Sequence, residues 1–116
     1  MEDHQESEAK IEQLQALEQN IQNFLIQKQN FQSQLIEITN AYEELEKTKG
    51  KAYKIIGAVM IDTDKEELKK ELNNKKETLN IRIRAVEKQE NQLKEKASKL
   101  QEEVLHQIKP KGEKNE

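Results

Sequence analysis

Few side chains in this sequence are spaced for chemistry. Asp62-x-Asp64 has the opening of a calcium loop, in which alternate carboxylates surround a hard cation. Such a loop needs glycine at its sixth position and glutamate at its twelfth, and Glu67 and Asn73 stand there. Glu103-x-x-His106 puts a carboxylate and an imidazole on one helical face, as in half of a di-iron motif. The full motif needs a second such pair and two more carboxylates, and the other histidine is His4, at the N-terminus. No serine stands in a nucleophile pattern with histidine and acid. Gly50, Gly57 and Gly112 form no phosphate cradle. The chain has no cysteine, hence no disulfide and no thiolate metal site. Lys69, Lys70, Lys75 and Lys76 could form a nucleic-acid stripe, but Glu66, Glu67, Glu71 and Glu77 interleave with them at helical spacing, as on a solvated face. The expectation is a protein with no catalytic residue, no metal and no cofactor, and not an enzyme.

Binding is left, and binding depends on the elements that present a surface. Charged residues make up 37% of the chain and aromatics 3%, too polar a mix for a compact core and close to that of a coiled coil. The net charge of −3 is small and its signs are mixed, so neither nucleic acid nor membrane is an expected partner. No apolar run approaches the roughly 20 residues of a membrane helix. The polar, acidic start Met1-Glu2-Asp3-His4 is unlike a secretory signal, and a cytoplasmic location is expected.

Residues 1 to 8 lack periodicity and are expected to fray. From Leu14 on, two heptad patterns run along the chain. Leu14, Ile21, Lys28, Leu35 and Tyr42 occupy one core position of the first, and Leu17, Phe24, Phe31, Ile38 and Leu45 the other. In the second, Leu72, Leu79, Val86, Leu93 and Leu100 face Lys76, Ile83, Glu90, Ala97 and Val104. The first helix is predicted over 8–48, with Gly50 as a left-handed terminator. The second is predicted over 64–109, opened by a capping box at Thr63/Glu66 or Asp64/Glu67 and stopped by Pro110. A charged tail, 110–116, follows. Two helices of similar length joined by a short segment fold back on each other, so an antiparallel coiled-coil hairpin in a single domain over 1–116 is expected. Leu17 would then lie near Leu100.

Between the helices stands an apolar insert, Tyr53-Lys54-Ile55-Ile56-Gly57-Ala58-Val59-Met60-Ile61. Its β-branched and aromatic content predicts a β-hairpin over 52–62. A turn at Gly57-Ala58 needs positive φ only at the glycine, as in type II′, and is preferred over Ile56-Gly57. A lone hairpin is marginal in water and presents open edges. Tyr53, Ile55, Ile56, Gly57, Val59, Met60 and Ile61 are therefore candidates for an oligomer interface. At the opposite end of the hairpin, Ile11, Leu14, Leu17, Val104, Leu105 and Ile108 form a stripe wider than a two-stranded seam needs, suited to weak gripping of other chains.

The insert, with Asp64-Lys65-Glu66-Glu67, Leu79-Asn80-Ile81-Arg82-Ile83, Glu87-Lys88-Gln89-Glu90 and Gln27-Lys28-Gln29, resembles the β-type subunit of prefoldin in its archaeal form, over residues 10 to 108. The resemblance implies an ATP-independent holding chaperone. Two α-type and four β-type subunits would join through their hairpins into a double β-barrel platform, with coiled-coil tips that hold unfolded proteins and pass them to a group II chaperonin. An α-type subunit has two hairpins at its bend, and this chain has room for one. The rival reading is a structural coiled-coil adaptor or spacer with fixed partners, which leaves the apolar insert without a purpose.

Overall fold

A computed structural model describes the backbone of residues 2–108 and the side chains of residues 5–107. The expected charged tail, 110–116, lies outside the described residues. Helix α1 (Glu2–Lys47) leads to strands β1 (Ala52–Ile56) and β2 (Val59–Thr63), and helix α2 (Lys65–Ile108) follows. The fold is mainly α, two long helices flanking a small antiparallel β-hairpin, as the heptads and the insert predict.

The chain falls into two compact units, Lys28–Ala85 and Met1–Gln27 with Val86–Glu116. In the first, α1 and α2 run antiparallel. The Lys69 ammonium lies 5.4 Å from the centre of the Tyr42 ring and the Arg82 guanidinium 6.0 Å from that of Phe31. Each cation sits on the face of an aromatic quadrupole while Leu45, Leu79 and Ile83 are buried. Lys76, assigned to the seam by its heptad position, is instead exposed. It shares a surface pocket with Glu43 and Glu46, where a lysine can keep its head in water while its stem covers apolar surface.

β1 and β2 pair in the register Ala52↔Thr63, Lys54↔Ile61 and Ile56↔Val59. This leaves Gly57-Ala58 as the turn. Gly57 has φ +61° and among the described residues none other than glycine has positive φ, which fits type II′ and excludes type I′. Gly50 differs from expectation. Its φ of +134° lies well beyond the left-handed helical region, so it extends the connection to β1 and does not terminate the helix. Side chains close α1 instead. The Thr48 hydroxyl donates to the Glu44 carbonyl at 2.7 Å, and the Lys65 ammonium reaches the carbonyls of Glu46 (3.3 Å) and Thr48 (3.0 Å). A cation at a helix C-terminus complements its partial negative charge. α2 starts after Asp64, whose carbonyl accepts from the Leu68 amide at 2.9 Å. Of the two expected capping boxes, Asp64/Glu67 therefore has the right position.

In the second unit Val86 and Val104 are buried, and so is the Glu90 carboxylate, which pairs with Lys94 at 3.5 Å. α1 here begins at Glu2, earlier than the predicted start at residue 8, so helix extends through a stretch expected to fray. Polar ties accompany the early turns. Buried Ser7 donates to Gln107 Oε1 at 2.9 Å, Gln107 Nε2 donates to Glu6 at 3.4 Å, and Lys10 pairs with Glu103 at 3.5 Å.

Candidate functional site

Strand alternation gives the β-hairpin two faces. Tyr53, Ile55, Met60 and Asp62 share one. Ala52, Lys54, Ile56, Val59, Ile61 and Thr63 share the other. The second face meets the helices only at its base, where Ala52 is buried and Lys54 hydrogen-bonds Glu71 of α2 at 2.7 Å. Everything beyond is open to water. Ile55 is 68% exposed, Met60 64%, and Tyr53, Ile56, Val59 and Ile61 are all exposed as well. The sheet has two strands, so each carries an edge of unpaired amides and carbonyls. Every apolar candidate interface residue thus lies uncovered on one small sheet, and Gly57 shapes its turn. A folded chain rarely leaves so many large apolar side chains together in solvent unless another surface covers them.

The Lys54–Glu71 pair fixes the hairpin's orientation on α2. Lys54's hydrogen bond, helped by its charge and that of Lys75 at 3.9 Å, holds the Glu71 carboxyl below its ordinary value of 4.5 against a smaller opposing effect of burial. A depressed carboxylate stabilises the fold above its unfolded value and loses that contribution as pH falls through its folded value. Glu71→Gln is therefore expected to lower the urea midpoint at neutral pH, with the gap to the parent closing as pH drops below 4.5. A gap of constant size across that range would contradict this assignment.

The candidate gripping residues lie in the other unit and divide by heptad position. Val104, in the seam, is buried at 7% exposure, so a client reaches it only if the pair opens. Leu14 and Leu17 are half-buried. Ile11 and Leu105 lie beside the seam and are 37% and 56% exposed. The Ile108 side chain lies outside the described residues. Leu17 and Leu100 line one groove of about 450 Å³, which brings together the pair expected to meet. Exposed Ile26, Ile36 and Ile81 were not among the candidates. No heptad core position marks them.

Among the described residues no cluster of three or more histidines and carboxylates is arranged to hold a metal, and no helix is long and apolar enough to cross a membrane. What the molecule offers is an uncovered β-hairpin and partly exposed apolar helix surface, and apolar surface of this kind suits contact with other chains.

The family described as "Prefoldin subunit" matches residues 8–110. The chain is 39% identical over 101 residues to prefoldin subunit beta of Methanospirillum hungatei, spanning 85% of this chain and 84% of that one. It is 33% identical to prefoldin subunit beta of Archaeoglobus fulgidus over 104 residues, 88% and 90% of the two chains. The crystal structure of the prefoldin beta subunit from Thermococcus strain KS-1 superposes with a TM-score of 0.85 at 33% identity, covering 90% of this chain and 94% of that one. The chain belongs to the prefoldin family of chaperone subunits, in its β-type branch.

Proposed function

We propose that this chain is a subunit of an ATP-independent holding chaperone. Its hairpin, through Tyr53, Ile55, Ile56, Gly57, Val59, Met60 and Ile61, joins those of other subunits in a β-barrel platform, two α-type and four β-type chains per complex. Ile11, Leu14, Leu17, Val104, Leu105 and Ile108 hold apolar segments of unfolded proteins, which pass to a group II chaperonin. The complex works in the cytoplasm and catalyses no covalent reaction. The observation that carries this reading is the cluster of exposed apolar side chains on a two-stranded sheet with both edges open, a surface that needs partners. Grip at each tip is weak, because few apolar side chains are exposed there, and several tips acting on one client raise the avidity.

The test is light scattering by an unrelated client diluted from denaturant, with the assembled complex present. Protection is expected with the full chain and is expected to vanish when residues 1–17 and 104–116 are deleted, while native mass still reports the assembly. Protection that survives the deletion removes the tips from the mechanism. A complex that binds one fixed partner and protects no client is the adaptor reading.

A further inference from the structure

The groove that contains Leu17 and Leu100 has an apolar floor completed by Ala16, and its rim carries Lys96 and Lys99. The acid on that rim, Glu103, is already paired with Lys10 at 3.5 Å. Neither rim lysine is in an ion pair among the described residues, although Glu95 lies one turn before Lys99 and Glu103 one turn after. The amide side chains of Gln13 and Asn20 line the rest of the rim and add no charge. The groove is thus locally positive on a chain whose net charge is −3. The larger groove of the other unit differs. Its rim mixes Glu37, Glu71, Lys75 and Arg82, and Glu71 is engaged by Lys54 and Lys75.

We propose that the Leu17–Leu100 groove selects, among unfolded clients, extended segments in which an apolar side chain is flanked by aspartate or glutamate. The apolar side chain covers Ala16, Leu17 and Leu100, and the flanking carboxylates meet Lys96 and Lys99. This rests on the client-binding reading and adds a preference to it. Apolar floor alone would hold any greasy segment. Unpaired charges at the rim of a contact discriminate by sign, favouring the opposite charge and disfavouring the like one. The overall negative charge of the chain would repel acidic segments if it acted uniformly. The local pair of cations reverses that at close range, inside a Debye length of about 8 Å at physiological salt.

The test uses the assembled complex and three fluorescent peptides with one apolar core, flanked by aspartates, lysines or serines, read by anisotropy. The aspartate peptide is expected to bind roughly fivefold to tenfold more tightly than the lysine peptide, the scale of two exposed charge pairs, with the difference shrinking in high salt. In the variant Lys96→Glu/Lys99→Glu the order of the two is expected to reverse. Both positions are exposed, and unchanged native mass and helical circular dichroism establish that the variant is folded and assembled. Equal affinity for the two charged peptides, or an order that the variant leaves unchanged, overturns the proposal. If the serine peptide binds in that case, client capture stands and only the charge preference falls. If no peptide binds, both fall. A variant that changes the mass of the complex while the peptide order stays the same assigns the groove to a second copy of the chain, which also overturns it.

Discussion

Ile55→Lys combined with Met60→Lys is expected to leave a folded chain that no longer assembles. Ile55 and Met60 are directly paired across the strands and point to the same face, the one farthest from helical cover. Both are about two-thirds exposed in the single chain. Neither contributes much to its packing, and lysine in their place keeps its charge in water. In an assembly the balance is different. Covering the exposed part of each side chain is worth on the order of 1–2 kcal/mol, and each subunit adds the same contribution again. The lysines would forgo that gain and add two like charges that no platform core can accept without desolvating them. Native mass is expected to fall from the multi-subunit complex to the single chain, with the helical circular dichroism unchanged. A variant complex of parental mass would show that the hairpin face is not the interface. Protection of clients is expected to fail with assembly, because isolated tips lose their avidity.

Leu79→Ala is expected to act the other way, on the fold and not first on the surface. Leu79 is 4% exposed, the most deeply buried of the described aliphatic side chains. It sits in the seam with Leu45 and Ile83 also buried in the same unit. Removing three carbons from such a site costs about 2–5 kcal/mol, the transfer term plus the cavity left behind. A two-helix seam is thin, and little around Leu79 can collapse into the space. The thermal midpoint of the variant is expected to drop by many degrees, and assembly to weaken only as the folded fraction declines. A midpoint within a degree or two of the parent would mean that the seam does not hold this unit together.

Much of this was legible because heptads and glycine encode it locally. Leu45, Leu79, Ile83, Val86 and Val104 are buried where a spacing of three and four places them, since the period of a helix fixes which side chains share a face. The turn was legible because one residue in the insert tolerates positive φ, and Gly57 adopts it. Gly50 shows the limit of that reasoning. A glycine after a helix has several open conformations, and composition does not choose among them. Lys76 shows another limit, since a heptad position does not tell a seam lysine from one that reaches an acidic pocket. The ties of Lys54 to Glu71, Lys65 to the last carbonyls of α1, and Ser7 to Gln107 had no sequence signal. Each joins a side chain to a group 17 to 100 residues away, and such partners meet only once the fold has placed them. Of the candidate gripping residues, Val104 stands at a heptad core position and is buried, while Ile11 and Leu105 stand outside the core positions and are exposed, so this division follows the heptad.

The most direct test of the central claim is the native mass of this chain, alone and after mixing with an α-type prefoldin subunit from the same source. The account predicts a mixed hexamer that contains four copies of this chain and is lost in the Ile55→Lys/Met60→Lys variant. A chain that ignores that partner and remains a monomer or simple dimer would contradict it.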